Sequence, residues 1–225
     1  MEQSWTPAKS DLLLAAGIAL AFPFAAGFLY DATGAFLPML LYYGLAWGMA
    51  KWRRGATGYG NPFPARPPLA FYINISLILA GLVCAWLSPI VQPTAEPLGV
   101  LLTALIWAPL NAASEQILWI YIFDAWDLYP QQYRIGYRLL GLLFFSAFVG
   151  LIHALFWIKF LHTVQDGTVF GTIFVVMTSL TGFIHIIVWR QSKQMVFTFI
   201  PHLLLNLLPL FWTNYSMLPY LFQFR

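Results

Sequence analysis

The chain has 225 residues, of which 60% are hydrophobic, 18% aromatic and only 8% charged. Because soluble domains carry about 25% charged residues, this composition excludes an ordinary cytosolic enzyme, a disordered tail and a nucleic-acid-binding protein. The formal net charge of +3 and the mean hydropathy of +0.74 point instead to an integral membrane protein whose few charges set its orientation.

Apolar runs of about 20 residues are long enough to cross a bilayer, and in lipid they are expected to be helical because the backbone must satisfy its own hydrogen bonds. Seven such runs follow one another, and only the fourth contains a charge: 12–30, 32–50, 67–91, 97–123, 139–158, 167–189 and 194–212. The sequence therefore predicts an all-α polytopic transmembrane bundle of about seven spans. We expect it to form a single integral membrane domain over residues 1–225.

The basic residues predict the orientation of these spans, because Lys and Arg concentrate in cytoplasmic segments. If the N-terminus is cytoplasmic, only Lys159 and Arg225 fall outside. The cytoplasmic segments then hold Lys9, Lys51, Arg53, Arg54, Arg66, Arg134, Arg138, Arg190 and Lys193. We therefore expect the N-terminus and the two longest loops, 51–66 and 124–138, to face the cytoplasm.

Ionisable side chains within apolar runs are the candidates for function, since a charge at the centre of a span costs about 2.5 to 3.5 kcal/mol. Glu115 lies in the fourth run and His153 in the fifth. His202 lies in the seventh, four residues before Asn206, so the two share one helix face. Asn111 and Glu115 have the same spacing. His185, close to Trp189 at a span end, is predicted to be interfacial, and His162 a solvated loop residue.

These residue types allow two kinds of chemistry if they meet in one wet cavity. A carboxylate can take a proton from water while imidazole and carboxamide groups donate hydrogen bonds to an oxyanion. The same set also suits a divalent metal such as zinc, held by Glu115, His153 and His202 with one open position.

The order of these polar positions resembles three motifs of the CAAX-protease and bacteriocin-processing family of intramembrane proteases, also called the Abi family. The family's Glu-Glu-x-x-x-Arg motif corresponds to the segment from Glu115 to Ile120, in which Gln116 replaces the second Glu and Ile120 the Arg. Its Phe-x-x-x-His motif corresponds to the segment ending at His153, with the Phe one place early. Its His-x-x-x-Asn motif is complete at His202 and Asn206. The resemblance covers about residues 98–209.

The resemblance implies an intramembrane endopeptidase that hydrolyses a peptide bond near the cytoplasmic side of the bilayer. Glu115 is then the general base, His153 helps to position the water, and His202 with Asn206 forms the oxyanion hole. A metal-free mechanism without a cofactor is favoured over zinc. The expected partners are membrane lipid and a peptide or protein substrate, such as a prenylated C-terminal peptide or a leader peptide, and no nucleic acid.

Two other functions remain open. The loss of the second Glu and the Arg favours a catalytically impaired relative that acts as a membrane scaffold, maturation factor or immunity-type partner. Intramembrane carboxylates and imidazoles also relay protons in carriers, so a proton-coupled carrier is a third hypothesis.

Overall fold

The computed structural model describes residues 5–88, 96–130, 133–161 and 167–222, and every regular element in these ranges is helical. The prediction of an all-α protein is therefore confirmed. The α-helices are α1 Lys9–Thr33, α2 Phe36–Met49, α3 Leu69–Leu87, α4 Pro97–Leu102, α5 Ala108–Asp127, α6 Arg134–Leu155, α7 Val169–Ser192, α8 Val196–Leu207, α9 Leu210–Thr213 and α10 Leu218–Leu221. Two π-helical turns, Ala50–Arg54 and Thr103–Trp107, and a 3-10 turn, Trp157–Lys159, continue α2, α4 and α6.

Six stretches of consecutive helix in the described ranges are long and apolar enough to cross a membrane: Lys9–Thr33, Leu69–Leu87, Pro97–Asp127, Arg134–Lys159, Val169–Ser192 and Val196–Thr213. The chain is therefore a multi-pass integral membrane protein. The count of seven spans is not confirmed, because the second apolar run forms a helix of only 14 residues, α2.

Local sequence explains where several helices begin and end. Gly34 ends α1 with a backbone φ of 83°, a conformation that glycine adopts without strain. Pro97 is the first residue of α4, where its missing N–H costs nothing. The Thr168 hydroxyl caps α7 by accepting a 2.9 Å hydrogen bond from the Gly171 backbone N–H. The predicted end of the third span, 89–91, lies outside the described residues.

The chain divides into two compact units. The first unit contains the described residues of Met1–Thr57, Ile117–Phe160 and Tyr220–Arg225, and the second those of Gly58–Gln116 and Leu161–Pro219. Helix α5 therefore contributes its first half to the second unit and its second half to the first.

In the first unit, α1 packs against α2 and α6. A Cβ atom at Gly27 of α1 would lie 2.6 Å from the Leu155 carbonyl oxygen of α6, so this close approach requires glycine. Four ion pairs also join parts of this unit: Asp11 with Arg53 at 2.7 Å, Asp124 with Arg54 at 3.4 Å, Asp127 with Arg138 at 2.6 Å, and Asp31 with Lys159 at 2.6 Å. The first three bury the carboxylate almost completely.

In the second unit, α3 packs against α7 and α8, and α7 also packs against α8. One apolar layer consists of Ala70, Val188 and Phe197. A second layer, further along α3, contains Ile78, Leu82, Ala85 and Phe174. Buried polar side chains of α3, α5, α7 and α8 also belong to this unit, and they include most of the candidate functional residues.

Candidate functional site

Helix α5 presents a carboxylate and a carboxamide on one buried face. Asn111 and Glu115 are four residues apart, which places them one turn apart on the same side of the helix. The Asn111 amide donates a 3.0 Å hydrogen bond to Oε2 of Glu115. Only 2% of Glu115 and 3% of Asn111 is exposed, so this contact lies in a water-poor environment.

Helix α8 adds an imidazole to the same carboxylate oxygen. The His202 Nε2 atom lies 3.2 Å from Oε2 of Glu115, and His202 is 4% exposed. One oxygen of Glu115 therefore contacts a carboxamide and an imidazole at once. Hydrogen bonds of this kind stabilise the ionised form of a buried carboxylate. We call Glu115, Asn111 and His202 the carboxylate cluster.

Asn206 lies one turn beyond His202 on α8 and is half-buried. Its amide nitrogen is 3.5 Å from the Ala108 carbonyl oxygen of α5, at the outer limit of a hydrogen bond. The structure thus brings Glu115, His202 and Asn206 into one unit along α5 and α8. A contact of this length is weaker than an ordinary hydrogen bond.

His153, the other residue assigned to the site, belongs to the first unit. It lies near the end of α6, its side chain is exposed, and its Nδ1 atom donates a 2.7 Å hydrogen bond to the Val149 carbonyl of its own helix. Its expected role in positioning water stays a prediction.

A second imidazole of the site was missed in the sequence. His185, assigned to the interface, is only 3% exposed, and its ring lies 6.0 Å from the ring of His202, centroid to centroid. Its Nδ1 atom donates a 2.6 Å hydrogen bond to the Thr181 carbonyl. The overlooked signal was a buried polar stripe on α7, in which Thr181, His185 and Ser192 recur at helical spacing. His162, expected to be solvated, lies outside the described residues.

The two positions that depart from the first family motif carry buried side chains. Gln116 is fully buried, and its Nε2 atom donates a 2.8 Å hydrogen bond to the Thr198 carbonyl of α8. Ile120 is 1% exposed within the apolar part of the first unit. Glutamine donates where an ionised glutamate would only accept, so Gln116 suits this carbonyl better than the family's residue.

Residues 58–61 of the loop between α2 and α3 belong to the second unit, and hydrogen bonds hold them to its other parts. The Met195 backbone N–H donates to the Gly58 carbonyl at 3.2 Å, and the Tyr59 hydroxyl donates to the Ala113 carbonyl of α5 at 2.9 Å. Asn61 donates to the Lys193 carbonyl, and Gln194 donates back to Asn61. Burial raises the pKa of the Tyr59 phenol, so it remains a donor over the physiological range.

Within the ranges that the structure describes, no three His, Cys, Asp or Glu side chains form a group suited to a metal ion. The contacts of the carboxylate cluster suit a different task. A carboxylate held by two hydrogen-bond donors can accept a proton from water, and the same donors can then stabilise a negative charge on oxygen.

Comparisons with known proteins add no relative: no protein-family model, curated protein or solved structure matches the chain. The function must therefore be argued from the side chains themselves.

Proposed function

We propose that the protein is an integral membrane endopeptidase that hydrolyses a peptide bond with a water molecule activated by Glu115. The observation that supports this proposal is the carboxylate cluster, in which a 2% exposed Glu115 contacts both Asn111 and His202. A buried carboxylate with a titratable partner matches the requirement for a general base better than it matches a structural role.

In this mechanism, Glu115 takes a proton from water while the water oxygen attacks the peptide carbonyl carbon. Once Glu115 is protonated, its attraction for the His202 N–H weakens, and that donor becomes available to the tetrahedral oxyanion. The Asn206 amide, held only by a 3.5 Å contact, supplies the second donor. The proton on Glu115 then passes to the leaving nitrogen as the C–N bond breaks, which returns the carboxylate to its starting state. The water-positioning role of His153 stays a prediction, and the mechanism requires no metal or other cofactor.

The topology proposed here has seven spans with the N-terminus in the cytoplasm. Helix α2 and the π-helical turn that follows it form one continuous helical stretch of 14 and five residues. Its uncharged part, 36–50, is about 22 Å long, and Lys51, Arg53 and Arg54 at its end are placed at the cytoplasmic boundary of the bilayer core. With seven spans, nine of the eleven Lys and Arg residues face the cytoplasm.

The substrate class proposed is a peptide or protein that reaches the site from the membrane or the cytoplasm, such as a lipidated C-terminal peptide or a leader peptide. No side chain of the carboxylate cluster selects between these two classes. A panel that contains one prenylated C-terminal peptide and one leader peptide therefore forms the first assay.

The experiment that tests the proposal is cleavage by the purified protein in proteoliposomes. Glu115→Gln keeps the shape of the side chain and removes the base, so cleavage should fall by about 10² to 10⁴-fold. Asp127→Asn is the matched control, because it neutralises another buried carboxylate of α5 that is paired with Arg138. It should lower stability but preserve cleavage per folded molecule. Full turnover by folded Glu115→Gln would contradict the proposal.

A catalytically impaired relative acting as a scaffold, maturation factor or immunity-type partner is the alternative, and the buried packing of Gln116 and Ile120 favours it. A scaffold needs the fold but not the base. Recovery of one stoichiometric membrane partner, together with a wild-type phenotype for a His202→Ala strain, would support this alternative over the peptidase.

A further inference from the structure

A fully buried amide of α3 is unsatisfied by the protein. Asn74 is 0% exposed, and neither its nitrogen nor its oxygen has a hydrogen-bond partner among the residues that the structure describes. Burying a carboxamide without partners is costly, and lipid makes it costlier still, because no solvent is close by to compensate. An apolar residue of similar shape would fill this position better, so an amide here points to a ligand.

The packing of α3 against α7 shows which residues lie near Asn74. Ala70 packs in one layer with Val188, and a Cβ atom at Gly81 would lie 3.5 Å from that of Met177. Residue numbers therefore rise along α3 as they fall along α7, and Asn74 lies opposite Ile184. The buried polar residues on either side of Ile184 are Thr181 and His185.

The carboxylate cluster is joined to His185 through the His202 ring. Glu115 contacts His202 at 3.2 Å, and the His202 ring lies 6.0 Å from that of His185. All four residues, from Asn74 to Glu115, belong to the second unit and are at most 4% exposed. By the register of α3 against α7, His185 is also the polar residue next to the position opposite Asn74.

We propose that Asn74 and His185 hold an internal water molecule between α3, α7 and α8, and that Asn74 acts through this water as a positioning residue for the two imidazoles. Water is the ligand whose chemistry fits, because it donates to the amide oxygen and accepts from the amide nitrogen while contacting the imidazole. It fixes the orientation of His185, which packs against His202, and so keeps the His202 donor directed at Glu115.

The water itself is tested without any assay of activity. Water-edited solid-state NMR on protein with isotope-labelled histidine, in proteoliposomes, measures magnetisation transfer from water to each imidazole. Loss of single signals in His185→Gln and His202→Gln assigns the spectrum. We expect transfer from water to His185 in the wild type and loss of that transfer in Asn74→Leu, which keeps the volume but removes the amide. Ile78→Leu, one turn further along the same face of α3, is the matched control and should leave the transfer unchanged.

Absence of transfer to His185 in the wild type, or undiminished transfer in folded Asn74→Leu, would overturn the proposal. If Asn74→Leu does not fold, the transfer from water to His185 in the wild type alone decides whether the water site exists. Asn74→Thr, whose hydroxyl can still bind water, should restore part of the transfer, which a purely structural role of Asn74 does not predict.

The role of Asn74 as a positioning residue rests on the proposed peptidase function and has its own measurement. Asn74→Leu should reduce turnover by about tenfold, the kinetic equivalent of one lost hydrogen bond, without lowering the melting temperature. If Glu115→Gln abolishes cleavage but Asn74→Leu leaves it unchanged, the peptidase stands and the positioning role fails. If the wild type cleaves no peptide but water is found at His185, the peptidase fails and the water site stands.

Discussion

The two units hold their buried carboxylates with different partners. In the first unit, Asp11 pairs with Arg53 at 2.7 Å and Asp127 with Arg138 at 2.6 Å. In the second unit, Glu115 is bonded by the carboxamide of Asn111 and the imidazole of His202. Both arrangements satisfy an acid away from water, but only the second uses partners that carry no permanent charge.

The partner of a buried acid, more than its burial, therefore separates a structural carboxylate from a reactive one. A guanidinium is always charged, so an Asp paired with Arg is locked in its ionised form. An imidazole can donate a hydrogen bond to a carboxylate and release it when the carboxylate gains a proton. The first unit is therefore expected to respond to mutation mainly through stability, and the second mainly through function.

The largest effect on stability is expected from breaking a buried pair of the first unit. Arg54→Met leaves the 1% exposed side chain of Asp124 without its guanidinium partner, so the free energy of unfolding should fall by about 3 to 5 kcal/mol. The double variant Arg54→Met/Asp124→Leu should recover most of this loss. Denaturation in mixed micelles measures both.

Lys51→Met, an exposed neutralisation on the same π-helical turn, is the control for this experiment and should change stability by less than about 0.5 kcal/mol. If the single and double variants are equally unstable, Asp124 does not depend on Arg54 for its charge, and the contrast between the two units weakens.

The next effect is expected in the second unit and should appear in turnover more than in stability. His202→Gln retains an N–H donor for Glu115 but has no group that titrates. Cleavage should decrease by about 10²-fold or more, while the free energy of unfolding changes by only about 1 kcal/mol. Peptide cleavage and denaturation of the same preparation give the two numbers. A large loss of stability with normal turnover per folded molecule would place His202 with the structural pairs.

The smallest effect is expected at the pair of Asp31 and Lys159. The Asp31 side chain is 60% exposed, and Lys159 also donates a 3.0 Å hydrogen bond to the Gly27 carbonyl. Asp31→Asn should therefore cost less than about 1 kcal/mol, since exposed pairs are screened by solvent. A cost as large as that of Arg54→Met would mean that burial does not separate strong from weak pairs in this unit.

Most of the fold follows from the apolar runs, and its errors lie at their edges. Helix α1 begins at Lys9 and ends at Thr33, three residues beyond the predicted run at each end, because Asp11 is neutralised by Arg53 and does not stop the helix. The second predicted run begins at residue 32, but α1 extends to Thr33, a turn follows at Gly34, and α2 begins only at Phe36. Ion pairs between residues distant in sequence, such as Asp11 and Arg53, decide such boundaries, and local hydropathy does not detect them.

Contacts between site residues could be predicted from the sequence where the residues share a helix, and could not where they lie on different helices. The spacing of Asn111 and Glu115 indicated their contact directly. The contact of His185 with His202 depends on helix packing, which the sequence does not encode locally. Distance from Trp189 was misleading for His185, since rotation about the helix axis decides burial and the polar stripe on α7 was the better guide.

The hydrogen bonds that hold residues 58–61 within the second unit have a practical consequence for determining the orientation of the protein in the membrane. The same loop continues past Phe63, whose ring packs edge-on against Phe197 of α8, to Ala65 and Arg66, which are exposed. An epitope inserted between Ala65 and Arg66 leaves this ring contact and the hydrogen bonds of Gly58, Tyr59 and Asn61 in place. Antibody access to that epitope in intact and in permeabilised cells then reports the sidedness of the whole chain from one tolerant position.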